Sequence, residues 1–173
     1  MIRSVLVPLD GSPLAEQALE YASDIVALGG RLTLLSVIEI PADYDYALVD
    51  VPLTMMTVRV EEGAYDSLVE KTRSYLDAQA NVLRARGFEV DTIVTLGVPA
   101  DEILEHAEEL KVDAIVMSTH GRRGFSKWLF GSVAQKVISV MPCPVMVVPG
   151  RVPEKAEEPI ASAAAAPKSA FST

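Results

Sequence analysis

The sequence predicts an α/β fold, a five-stranded parallel sheet with helices on both faces. Three observations predict it. Five short apolar runs recur along the chain, most of them continuous in the way of strands buried on both sides. Between them lie segments with apolar residues at helical spacing, bounded by helix start and stop residues. Half of the 173 residues are hydrophobic, which suits one core of single-domain size and hardly two.

The run RSVLVPLD (3–10) reads as a buried strand closed by Pro8 and Asp10. SPLAEQALEYASDIVALGG (12–30) reads as a helix, with Ser12 suited to cap it, Pro13 to its first position and Gly29-Gly30 to stop it. Its expected buried face is Leu14, Ala18, Tyr21, Ala22, Ile25 and Leu28. RLTLLSVIEI (31–40) is the second strand. Residues 41–63 have mixed period and two prolines, and read as a long connection with a helical turn near its end. Tyr44, Tyr46, Met55 and Met56 within it suit a lid, a partner surface or local packing over the sheet. YDSLVEKTRSYLDAQANVLRARG (65–87) is a helix with Leu68, Tyr75, Leu76, Ala80 and Leu83 as core positions, ended by Gly87. FEVDTIVTLG (88–97) opens with alternation, as an edge strand would. PADEILEHAEEL (99–110) is a helix with Pro99 at its start and acids in its first turn. DAIVMS (113–118) is a buried strand, SVAQKVISVM (132–141) a helix and CPVMVVPG (143–150) the last strand. These elements make one domain, 1–150. Residues 151–173, rich in Ala, Pro and Ser and without a periodic apolar face, read as a disordered tail.

The formal net charge is -9, which repels nucleic acid. Yet from His120 to Lys136 there are four basic residues and no acidic one, an island that suits a small anion. The single cysteine, Cys143, excludes an intrachain disulfide and a cysteine-built metal site, and reads as a small buried hydrophobe. The opening MIRSVLVPLDGS has too short an apolar run for a signal peptide, and no run reaches the ~18 apolar residues of a membrane helix. A soluble cytoplasmic protein, with no membrane or nucleic-acid partner, is the expectation.

In a doubly wound sheet, ligands sit beyond the C-terminal strand ends, where the strand order reverses. The ends of the first and fourth strands are PLDGS and MSTHG. The connection 119–130 is twelve residues long, against about 2–6 for most strand-to-helix loops. Glycines 121, 124 and 131 allow close backbone approach. Ser132 with Gln135 three residues on is a capping-box pattern, so the helix is expected to start there. Its first amides, around Ser132 and Val133, favour an anion together with the helix dipole. The Ser132 hydroxyl suits either the cap or a phosphate oxygen, and Arg122, Arg123 and Lys127 add charge or are simply exposed. The plain alternative is a surface loop with glycines at its turns. Asp10 equally suits a helix cap with Ser12. His106 reads as solvated or partly packed, and Trp128 and Phe130 as filling beneath the loop or as a dimer contact.

The arrangement resembles the universal stress protein family, in its ATP-binding branch. That branch has a glycine, two residues, a glycine, nine residues, then Gly-Ser or Gly-Thr. Here the pattern reads Ser118, Thr119-His120, Gly121, nine residues and Gly131-Ser132, with serine for the first glycine. VLVPLDGSPLAEQAL, LLSVIE and CPVMVVP extend the resemblance over about residues 1–150. It implies a Rossmann-like fold of the adenine nucleotide alpha-hydrolase type and a stress-response regulator that binds ATP, with Mg2+ or Mn2+ bridging the phosphates. Asp10 would bond the ribose or the nucleotide edge, with Pro8 and Leu9 lining the same cleft. Val37 would contact adenine. Met117 to Gly121, with Met117, Ser118, His120 and Gly121 as its site residues, would wrap the ribose and first phosphate, where Ser118 either crowds the ribose or bonds it. Gly131, Ser132 and Val133 would donate amides to the phosphates.

A dedicated enzyme is disfavoured. The chain has no Gly-Lys-Ser/Thr phosphate loop and no carboxylate cluster beside the glycine loop, so no catalytic residue is assigned and at most weak ATP hydrolysis is expected. A nucleotide-independent dimeric module and a slow ATPase are the alternatives. PVMVVP would be a short apolar sheet edge, which asks for cover. The resemblance implies a homodimer through antiparallel pairing of this strand, Pro144 to Pro149.

Overall fold

Strand β1 (Ser4–Pro8) shows in five residues why the sheet needs cover on both sides. Val5 and Val7 enter one apolar cluster and Leu6 the other, and all three are fully buried. The computed structural model describes residues 1–27, 29–39, 64–119 and 131–149. After β1 come α1 (Pro13–Ile25), β2 (Arg31–Glu39), α2 (Ala64–Ala85), β3 (Glu89–Gly97), α3 (Pro99–Glu109), β4 (Ala114–Thr119), α4 (Ser132–Val140) and β5 (Val145–Pro149). Every pairing is parallel, in the order β3-β2-β1-β4-β5. Helices α1 and α2 cover the face of Val5, Leu34 and Val116, and α3 and α4 cover the face of Leu6, Leu35 and Ile115. Full burial of each such Leu or Ile stabilises by about 1.5–3 kcal/mol. The predicted five-stranded parallel sheet with helices on both faces is the observed Rossmann-like fold.

Two helix faces differ from expectation. In α1 the buried stripe is Ala15, Ala18, Leu19, Ala22 and Val26, while Leu14 and Ile25 are half-buried and Tyr21 is 39% exposed. The helix turns its small residues to the sheet, so that it lies close to it, and Tyr21 points past the core. In α2 the core positions Leu76, Ala80 and Leu83 are buried and Tyr75 is half-buried, but Leu68 is exposed. Leu68 lies two turns before Leu76, about 12 Å along the axis, beyond the described residues that could cover it.

Helix α1 also ends at Ile25, before the glycine pair. The Ala27 amide bonds the Ile2 carbonyl at 2.8 Å and the Arg31 amide bonds the Arg3 carbonyl at 2.7 Å, pulling the chain out of the helix and into β2. Gly30 is required by that approach, since a Cβ there would lie 2.7 Å from the Arg3 carbonyl oxygen. At the same end of β1, the Asp113 carboxylate accepts the Arg3 and Ser4 amides at 2.7 and 3.0 Å. Those two bonds hold its carboxyl below the usual carboxylate range.

The two sheet edges contrast. Edge strand β3 carries Glu89 and Asp91, each 3.5 Å from the Arg31 guanidinium of β2. Such exposed pairs contribute at most about 1 kcal/mol, but charge on an edge discourages further pairing. Strand β5 is uncharged, and its Met146 is exposed. Among the described residues no helix is long and apolar enough to cross a membrane. Residues 41–63, with Tyr44, Tyr46, Met55 and Met56, and the tail from Arg151 lie outside the described residues.

Candidate functional site

The strand order turns at β1. From it the chain builds β2 and β3 to one side and β4 and β5 to the other. The register of β1 with β4 runs through Val5↔Ala114 and Leu6↔Ile115, and β4 runs on to Thr119 beside β5. The C-terminal ends of β1 and β4 are the place where doubly wound sheets bind ligands. A cavity of about 330 Å³ opens there, within the span of small-molecule sites.

The β1 end supplies Pro8, Leu9 and Asp10. Asp10 Oδ1 accepts the Ser12 amide at 2.9 Å, and Ser12 Oγ accepts the Ala15 amide at 3.1 Å. Ser12 is thus the cap of α1, and Asp10 tightens the turn before it, where Gly11 takes φ +79. The Asp10 Oδ2 has no hydrogen-bond partner among the described residues.

The β2 end supplies Leu35, Val37 and Glu39, alternate residues on the face toward α3. Bonds from β2 toward β1 fall on alternate residues, and Leu35 is one of them, its carbonyl accepting the Leu9 amide at 2.8 Å. The register with β1 ends at Pro8↔Leu35. The next residue to face that way is Val37, which turns an N–H and a C=O toward the cleft without a β1 partner.

From β4 come Met117, Ser118 and Thr119, and from α4 Gly131, Ser132, Val133 and Ala134. Helix α4 starts at Ser132 as expected, but its capping residue differs. Gly131 is the N-cap, Ser132 is the first helical residue, and among the described residues no side chain caps the helix. A serine at that first position does not reach back to the amides as a capping serine does. The Gln135 amide bonds the Gly131 carbonyl at 2.9 Å, but those of Ser132, Val133 and Ala134 have no acceptor among the described residues. Helix α1 satisfies its Ala15 amide, whereas no described residue accepts the equivalent amide of α4.

Nine of the eleven predicted site residues therefore line one cavity, and the other two, His120 and Gly121, lie outside the described residues, as do Arg122, Arg123, Lys127, Trp128 and Phe130. Thr119, within the foreseen stretch from Met117 to Gly121, also lines it, and Ala15, Leu35, Glu39, Pro99, Ile103 and Ala134 line it without having been foreseen. Leu35 and Glu39 could have been found by stepping two residues either way from Val37. Pro99 and Ile103 required knowing that α3 folds back over β2.

The described lining carries two carboxylates, Asp10 and Glu39, and no cation. Lys136 of α4 is paired instead with Asp101 of α3 at 2.6 Å, outside the lining. Among the described residues no three His, Cys, Asp or Glu side chains could hold a metal ion. His106 is partly packed, its Nδ1 2.9 Å from the Glu102 carbonyl. Cys143 is half-buried, and burial pushes its thiol up, away from a reactive thiolate.

Comparison with known proteins agrees with this architecture. Universal stress protein MJ0531 of Methanocaldococcus jannaschii is 32% identical over 152 residues, covering 86% of this chain and 82% of that one. Universal stress protein MJ0577 of the same organism is 31% identical over 154 residues, covering 86% and 95%. The solved MJ0577 structure superposes with a TM-score of 0.70 at 29% identity, covering 88% of this chain and 99% of that one. A universal stress protein family protein from Arabidopsis thaliana, solved with AMP bound, shares the fold at a TM-score of 0.57 and 16% identity, covering 86% and 92%. The sequence model of the universal stress protein family matches residues 1–149. This chain belongs to the universal stress protein family.

Proposed function

We propose that the protein is an ATP-binding regulator of the stress response, working in the cytoplasm and holding its nucleotide between the end of β1 and the 117–133 glycine loop. The observation that carries this reading is the uncapped start of α4. Three adjacent amides without acceptors among the described residues line a cavity at the switch point of the sheet, and the helix dipole adds to their pull on an anion. The rest of the cleft suits the rest of a nucleotide. Val37 offers a donor and an acceptor side by side, the pattern a base edge can pair with, between the apolar walls of Leu35 and Met117. Asp10 has a carboxyl oxygen open to a ribose hydroxyl. Magnesium or manganese accompanying ATP would neutralise phosphate charge that the two lining carboxylates oppose. The AMP carried by the relative from Arabidopsis thaliana supports the ligand class. Titration calorimetry with Mg-ATP is expected to give heat and a thermal upshift, and silence in both at millimolar ATP would defeat the reading.

A second feature favours a homodimer. Strand β5 is an uncharged edge, and Val140 and Met141 just before it are 55% exposed. Antiparallel pairing across a two-fold axis would cover that edge, with Pro144 and Pro149 limiting it to one partner. Light scattering after size exclusion is expected to give twice the monomer mass, and a monomer at high concentration would refute the pairing.

A further inference from the structure

We propose that Glu39 selects the base of the bound nucleotide by accepting a hydrogen bond from its exocyclic amine. This rests on the nucleotide reading and adds to it the side chain that chooses among bases. Glu39 is the last residue of β2. It follows Leu35 and Val37 at every second position, so its side chain leaves the sheet on their face, and all three line the cavity. Nothing beside it in the sheet competes for the carboxylate. The β1 register has already ended, and the β3 residue opposite is Gly97, which has no side chain. No described cation pairs with Glu39. It is an exposed acceptor, unpartnered among the described residues, at the wall of a ligand-sized cleft.

Its place in the strand order decides which part of the ligand it meets. Phosphates are drawn to the α4 amides, next to β4, and repelled by a carboxylate. Glu39 stands two strands away from β4, about 10 Å at ordinary strand spacing. The part of a nucleotide that reaches so far is the base. An ionised carboxylate accepts hydrogen bonds and donates none, so it favours a base that presents N–H there. An exocyclic amine has two such hydrogens, one for the open Val37 carbonyl and one for Glu39. A base with only C–H at that position satisfies neither acceptor, and a keto oxygen would face both.

The test is a cycle of calorimetric titrations on the full chain. The ligands are ATP and purine riboside 5′-triphosphate, which has hydrogen in place of the 6-amino group. The proteins are the wild type, Glu39→Ala and Glu39→Gln. The wild type is expected to prefer ATP by about tenfold or more, the scale of one charge-assisted bond, and Glu39→Ala to lower that preference by about tenfold. Glu39→Gln, which keeps a carbonyl acceptor, is expected to retain part of it. Removing a negative charge changes both affinities alike, and that common factor cancels in the ratio. Because Glu39 is exposed, the unliganded variants are expected to melt with the parent. An unchanged preference in Glu39→Ala, or an equal loss for both ligands, overturns the role of Glu39 and leaves nucleotide binding standing. A wild type that binds neither ligand overturns both.

Discussion

Ser132→Pro removes one backbone N–H from the proposed phosphate cradle and should leave the fold unchanged. Ser132 is the first residue of α4, where its amide has no intrahelical acceptor and proline is favoured. Gly131 before it has φ -57 and ψ 158, the extended conformation that a residue preceding proline prefers. The substitution should therefore be neutral for the unliganded protein, or stabilising by up to ~1 kcal/mol through the stiffer unfolded chain. Binding is another matter. An amide bonded to a charged phosphate oxygen contributes about 1.5–3 kcal/mol, so losing it should weaken ATP by about 10- to 150-fold. Ser132→Ala, which deletes the hydroxyl and keeps the amide, is the control for the side chain. Calorimetry gives the two affinities and a ligand-free melt checks the fold. If Ser132→Pro binds ATP as the parent does, the α4 amides do not hold the phosphates. If it melts several degrees lower without ligand, the position of the helix start is wrong.

Other perturbations test the fold. Leu6→Ala, at a fully buried position, is expected to cost about 2–5 kcal/mol, and Tyr21→Ser less than about 1, which denaturant unfolding will separate. Asp113 has a folded pKa below its unfolded value, so its contribution is present at neutral pH and lost as pH falls below about 4. Asp113→Asn should accordingly lose less stability on acidification than the parent, as followed by melts across pH. The Tyr75 phenol donates to Glu16 at 3.1 Å, and burial, then the Glu16 charge, raise its pKa above the ordinary value. That raised pKa contributes stability that is full below about pH 10 and fades above it. Tyr75→Phe is expected to cost about 0.5–1.5 kcal/mol at pH 7 and to abolish that alkaline loss.

What the sequence made legible followed from how strongly each feature is written in side chains. Strands buried on both faces, such as AIVMST, announce themselves as unbroken apolar runs, and all five strands lay where those runs are. The α1 face was read correctly at Ala18 and Ala22 but one residue out of phase at its ends, Leu14 for Ala15 and Ile25 for Val26, because large side chains outweigh alanines in any hydrophobic pattern. Yet Ala15, Ala18 and Ala22 are what a helix needs to lie close on a sheet. The cap of α4 failed for a related reason. The Ser-x-x-Gln signature was present, but the glycine before it took the cap, and glycine has no side chain to signal with. Residues that line the cavity from strand ends were legible through chain-local motifs. Pro99 and Ile103 reach it only through the return of α3 over the sheet, and Glu39 only through the side-chain alternation of β2.

The boundary between β1 and β4 has a consequence of its own. It separates a ribbon of three strands from a ribbon of two, joined by the register of Val5 and Leu6 with Ala114 and Ile115 and by the bonds of Asp113 to Arg3 and Ser4. The cleft continues the line of that stitching. A molecule gripped by Val37 on one ribbon and by the α4 amides on the other would bridge the seam and resist its opening with every bond it makes. Occupancy of the cleft would then be felt as stiffness between the ribbons, a property another protein could sense from the outer surface without touching the ligand.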